Sequence, residues 1–148
     1  MNMQDEVDIL LVEDNASDAE LTIRALRKYH VSNRISLVTD GEEALDFVFG
    51  RGAYNGRENK FQPKLILLDI KLPMLSGLEV LKELKSDDRT REIPVVMLSS
   101  SGVESDIQQS YKLGANSYIV KPVDLENFSK SVADLGMYWL LLNKPPGK

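Results

Sequence analysis

The sequence predicts an α/β domain: one doubly wound sheet of five parallel strands with helices on both faces. Three observations predict it. Short apolar runs recur along the chain, they lack the in-out alternation of a half-exposed strand, and each runs through a turn signal into a helical pattern. Strands without alternation are what a sheet covered on both faces requires, because both rows of side chains then meet apolar neighbours. A helix between consecutive strands is the crossover that parallel pairing needs. At 148 residues and 43% apolar, the chain is long enough for one such domain with a full core and too short to expect two.

The elements follow in order. DILLV (8–12) reads as the first strand, and a helix opens at Ser17, where Glu20 three residues on offers a capping box and Ala19, Ile23 and Leu26 share a face. ISLV (35–38) leads into GEEALDFVF, and LILL (65–68) into SGLEVLKELK with Leu78, Leu81 and Leu84 turned inward. PVVML (94–98) leads into ESDIQQSYKLGA, where Gly114 is the expected C-cap. SYIV (117–120) leads into DLENFSKSVADLGMYWLLLN, an extended last helix. Right-handed crossovers give the flavodoxin-like strand order 2-1-3-4-5. The single long connection, residues 50–64, is rich in Gly, Asn and charge and reads as an exposed excursion within one domain spanning 1–148.

Composition removes several function classes. With no cysteine there are no disulfides, thiolate metal sites or cysteine nucleophiles, and any metal must be held by oxygen. The single histidine, His30, sits near the end of a predicted helix, where a solvated charge is the commoner role. The acidic start MNMQDEVD is no signal peptide and no apolar run approaches a membrane span, so a cytoplasmic protein without a membrane partner is expected. A net charge of -5, with the basic residues scattered, argues against nucleic-acid binding.

In an open parallel sheet, ligands bind beyond the carboxyl ends of the strands. Those ends carry Glu13 and Asp14 after strand 1, Asp69 after strand 3, Ser99 after strand 4 and Lys121, followed by Pro122, after strand 5. Each has an ordinary explanation by itself: Asp14 with Asn15 as turn chemistry, Ser99 as the start of a serine-rich loop, Lys121 as a solvated lysine. Together they crowd three carboxylates into one crevice. Two like charges about 4 Å apart repel by about 4 kcal/mol at an effective dielectric near 20, so the site calls for a cation beyond one lysine. A hard divalent ion with oxygen ligands, Mg2+ above all, answers that need. Metal and Lys121 would then neutralise a phosphoryl group, Ser99 would donate a hydrogen bond to it, and Asp69 would be the nucleophile that accepts it.

LLVEDN, LLDIKLPMLSG, PVVMLSSSG and GANSYIVKP, in that order, resemble the four motif regions of receiver domains of two-component response regulators. The likeness runs over nearly the whole chain. It implies that Asp14 ligates Mg2+ directly and Glu13 through water, that Asp69 is phosphoacceptor and ligand, and that the backbone carbonyl of Lys71 is a third protein ligand. It further implies that Ser99 is the switch hydroxyl, Tyr118 the switch aromatic and Lys121 the phosphate-pairing lysine, with a cis Lys121-Pro122 bond. Ser99 stands where many members have threonine, and Ser76 where aspartate is common, although Ser76 can still cap the next helix. Lys71 puts a long cation beside the phosphorylation site.

Other readings are weaker. A phosphatase of the haloacid dehalogenase type needs a second Asp two residues after the nucleophile, and Lys71 occupies that place. A flavodoxin-like cofactor protein should cradle phosphate after strand 1, where Glu13 and Asp14 would repel it. A binding scaffold with a degenerate site stays open. The receiver resemblance implies a sensor histidine kinase as donor, no enzymatic turnover beyond self-phosphorylation and autodephosphorylation, and output through the helix 4, strand 5, helix 5 face by protein contact or phosphorelay. The 50–64 excursion, YKLGANSYIVKPVDLENF and the tail YWLLLNKPP resemble the single-domain regulators that partner bacterial phytochromes. Leu125, Phe128, Val132, Leu135, Trp139 and Leu142 form a core-facing stripe, and MYWLLL (137–142) is apolar all round, so a homodimer or partner contact through that end is expected.

Overall fold

Ile9, Leu10, Leu11 and Val12 are all buried, and so is every residue of the Leu65–Asp69 run, which is how unalternating apolar strands must sit. A computed structural model describes residues 8–28, 34–56, 62–100, 102 and 104–134. The strands are β1 (Ile9–Val12), β2 (Ile35–Val38), β3 (Leu65–Asp69), β4 (Val95–Ser99) and β5 (Ser117–Val120), and the helices are α1 (Ala16–Lys28), α2 (Gly41–Phe49), α3 (Gly77–Ser86), α4 (Glu104–Lys112) and α5 (Leu125–Asp134). All pairings are parallel, in the order β2-β1-β3-β4-β5. This is the expected five-stranded, flavodoxin-like receiver architecture.

Period two along the strands divides the core. Leu10, Val12, Ile66, Leu68, Val95 and Met97 pack with α2 and α3 on one face, and Ile9, Leu11, Leu65, Leu67, Val96 and Leu98 pack with Ala19 and Leu26 of α1 and Phe128 of α5 on the other.

Several boundaries move from their sequence-predicted places. β3 and β4 each run one residue further, so that Asp69 and Ser99 are the last residues of their strands rather than the first of the loops. Pro94 falls outside β4 and contributes only its carbonyl, accepting from Ile66 N at 3.0 Å, since proline has no N–H to offer the ladder. The Ser17–Glu20 capping box does not form. α1 starts at Ala16, and Asn15 caps it, its Oδ1 accepting from Asp18 N at 2.9 Å, while Glu20 pairs with Arg24 one turn on. Asparagine already positioned by the Glu13-Asp14 turn reaches the free N–H groups first. α3 keeps its expected cap: Ser76 and Glu79 form a reciprocal capping box. Of the expected inward set on α3, Leu81 and Leu84 are buried, Leu78 is half-buried, and Val80 takes the remaining core position. Gly114 ends the α4 region at φ +106, donating to Tyr111 O, as the C-cap reading requires.

The described start of the 50–64 excursion is less loose than its composition implies. Residues 52–54 make one 3-10 turn that lays Tyr54 edge-on against Phe47 at 5.0 Å and lets its hydroxyl donate to Glu43 Oε2 at 2.8 Å. His30, Leu135, Trp139, Leu142 and the MYWLLL segment lie outside the described residues, and so do the side chains of Leu125 and Val132. Of the predicted stripe, Phe128 is buried.

Candidate phosphoacceptor site

β1 and β3 are neighbours in the sheet, with Val12 level with Leu68, so the residues just past them converge. Glu13 and Asp69 are both buried and Asp14 is exposed. One oxygen from each of the three carboxylates lies within 4.8 Å of the others. Two backbone donors hold the buried pair in place: Asn15 N reaches Glu13 Oε2 at 3.2 Å, and Lys71 N reaches Asp69 Oδ1 at 3.3 Å.

The floor beneath Asp69 is set by glycine. Gly77 N donates to Ile70 O at 2.8 Å, and a Cβ on Gly77 would lie 2.0 Å from Asp69 O, so only glycine lets α3 start this close to the strand end. Between these residues Met74 adopts φ 71, with Leu75 N bonded to Pro73 O at 2.8 Å, a tight three-residue turn of the rare left-handed kind.

Lys121 reaches in from β5. Its Nζ donates to Glu13 Oε1 at 2.8 Å, Asp18 Oδ2 at 2.9 Å and Asp69 Oδ2 at 3.1 Å, which uses all three ammonium protons. The Lys121-Pro122 peptide is cis, as the receiver resemblance implied. Burial by itself would lower the Lys121 pKa, but the hydrogen bonds to Glu13 and Asp18 and the charge of Asp69 carry it upward overall. Glu13 is pushed up to about 7, by burial first and the neighbouring Asp69 carboxyl second, against the pull of Lys121. By count the site is short of positive charge, with three carboxylates in reach of one another and Asp18 beside them against the one Lys121 ammonium. The oxygen-only donor set, the crowding and this shortage all fit a hard divalent cation.

Ser99 is buried at the end of β4, and its carbonyl accepts from Lys121 N at 2.7 Å, which ties the two strand ends together. Tyr118, on β5, is half-buried against the α2/α3 side of the core. Thus Glu13, Asp14, Asp69 and Lys121 are brought into one cluster, Ser99 and Lys71 adjoin it along the chain and the ladder, and Tyr118 stands one strand away. Asp18 was missed by the sequence reading. Its signal was its place four residues past Asp14, in the first turn of the helix that leaves the acidic loop, but the partner that gives it meaning is 103 residues away.

The response regulator receiver domain model matches residues 9–133. The chain belongs to the response regulator receiver family. Among solved structures, this receiver is similar to the bacteriophytochrome response regulator AtBRR, with 48% identity and a TM-score of 0.84, covering 94% of this chain and 99% of that one. It is 38% identical to response regulator Rcp1 of Synechocystis sp. (strain ATCC 27184 / PCC 6803 / Kazusa), over 89% of this chain and 88% of that protein. Rcp1 is also known in a Mn(2+)-bound form, to which this receiver is similar with a TM-score of 0.73 and 34% identity, covering 94% and 96% of the two chains. A third relative, the probable methanogenesis regulatory protein FilR2 of Methanothrix harundinacea (strain 6Ac), is 36% identical over 99% of this receiver and 92% of its own length.

Proposed function

We propose that this receiver is a phosphoacceptor response regulator in which Asp69 takes a phosphoryl group from a histidine kinase. The observation that carries the reading is the Lys121 ammonium spanning Glu13 and Asp69 beside an exposed Asp14, an arrangement with no structural need for so many buried acids. Asp14, Asp69 and the backbone carbonyl of Lys71 would hold Mg2+, with Glu13 acting through water. Bound there, the ion supplies the positive charge that lets a phosphoryl group approach three carboxylates. An Asp69 carboxylate oxygen attacks phosphorus, the P–N bond of the phosphohistidine breaks with its electron pair leaving on nitrogen, and the freed imidazole takes up a proton. Lys121 pairs with the phosphoryl oxygens and the Ser99 hydroxyl donates to one of them. Tyr118 follows Ser99, changing the face formed by α4, β5 and α5, and typical couplings of this kind are about 1–3 kcal/mol, a bias rather than a gate. The chain turns over no separate substrate beyond its own phosphorylation and autodephosphorylation.

The likeness to AtBRR, a bacteriophytochrome response regulator, supports a bacterial phytochrome kinase as donor, and the absence of cysteine from the sequence fits action in the reducing cytoplasm. Output is by protein contact or phosphorelay, and the C-terminal helix region pairs two copies of the chain. Incubation with acetyl phosphate and Mg2+ should add one phosphoryl group to the intact mass. The gain should be absent in Asp69→Asn and abolished by a chelator. No uptake under conditions that label a control receiver would favour a binding scaffold with a degenerate site. Light scattering that finds only monomer at high concentration, with and without a phosphate analogue, would remove the homodimer.

A further inference from the structure

The geometry points to Asp18 as a positioning residue that competes with the phosphoryl group for Lys121; this rests on the phosphoacceptor reading above. An ammonium has three protons to give, and here Glu13, Asp18 and Asp69 accept all of them. A phosphoryl oxygen that pairs with Lys121 must therefore displace one partner. Glu13 is buried with nowhere to go, and its other oxygen is bound by Asn15 N. Asp69 is the residue that carries the group. Asp18 is the partner that can leave, because its side chain is 39% exposed. Beside it a cleft of about 220 Å³, lined by Leu21, Thr22, Pro122 and Val123, gives the carboxylate room to swing away.

Asp18 thus holds the ammonium ready on the α1 side and yields it on phosphorylation. Its own negative charge, at the rim of the same site, opposes the arrival of more. Both effects weaken the phosphorylated state relative to the resting one. The strength of that opposition belongs to a pair exposed only on its Asp18 side, a few-fold rather than orders of magnitude.

The test is beryllofluoride binding in the presence of Mg2+, measured beside Mg2+ binding alone, in the native chain and in Asp18→Asn. Asp18→Asn should bind beryllofluoride roughly five-fold tighter, the size expected when one partly exposed charge pair is removed. Mg2+ alone should bind no tighter, since a cation loses from the removal of an acid. A merely structural role would move both in the same direction, and weaker or unchanged beryllofluoride binding would overturn the competition. In the Lys121→Met background the gain should shrink, because only the direct charge repulsion is left there, whereas a gain of the same size would show that Asp18 acts by its charge alone and overturn the inference. A native chain that takes up neither acetyl-phosphate phosphoryl nor beryllofluoride would overturn the phosphoacceptor reading and this one with it, an outcome distinct from normal uptake without an Asp18 effect.

Discussion

At the scale of single residues, the Lys121 ammonium gathers carboxylates from three parts of the chain into one candidate site, whose strand-end members are legible in the sequence. Asp69, Glu13, Asp14, Ser99 and Lys121 each follow an apolar run, and parallel topology forces such ends together. Asp18 and Asn15 were not legible, because what decides their roles is a competition between nearby groups: which of several polar side chains reaches an unsatisfied N–H or a distant ammonium first. The same holds for Tyr54, one residue in a segment whose composition reads as loop. Its hydroxyl donates to Glu43, and burial first, then that bond, push its pKa up to about 12. Because the folded pKa lies above the unfolded one, near 10, the stability this bond contributes is complete below pH 10 and is lost as pH rises through about 12. Tyr54→Phe should therefore cost about 1 kcal/mol at neutral pH. In denaturant titrations the difference between the two chains should shrink at strongly alkaline pH; a constant difference would mean that the ring contact with Phe47, not the hydroxyl, had been altered.

At the scale of elements, the five strand-helix units were readable from periodicity, and the errors fell at ends, where one hydrogen bond decides a boundary. The helices are not equally held. α2 buries Gly41, Ala44, Leu45, Phe47 and Val48, and α3 buries Gly77, Val80, Leu81 and Leu84, whereas in α4 only Ser110 is buried, its hydroxyl turned back onto Asp106 O. Little apolar area is lost when α4 shifts, so it is the helix of the proposed output face that can move at least cost. Amide hydrogen exchange of the unphosphorylated protein should be faster in α4 than in α3, and phosphorylation or beryllofluoride should change α4 more than α3. Equal protection in the two helices would contradict this. α5 has its own tie to the sheet, the buried hydroxyl pair of Ser117 and Ser131 at 3.0 Å.

For the whole molecule, the acids at one end of the sheet set a balance between stability and readiness to bind. Three carboxylates in reach of one another, with a fourth on Lys121, store repulsion that a divalent cation relieves. Mg2+ should accordingly raise the melting temperature. At about a hundred times its dissociation constant, one site adds roughly 2.7 kcal/mol, which for a chain of this size corresponds to roughly 5–10 °C. Asp14→Asn should lose most of that increment in differential scanning calorimetry while changing the metal-free melting temperature little or upward, since it removes a repelling charge. A metal-induced shift undiminished in Asp14→Asn would place the ion elsewhere.

The opposite end of the sheet is built the other way. Lys85 Nζ donates to Arg91 O at 3.0 Å, Ile93 O at 2.8 Å and Asn116 Oδ1 at 3.3 Å, and the same Asn116 oxygen accepts from Val95 N at 2.9 Å. One side chain of α3 thus bolts down the starts of β4 and β5 together. With their near ends pinned by one side chain, the displacement proposed for Ser99 and Lys121 should stay at the site end of these strands and leave their starts in place.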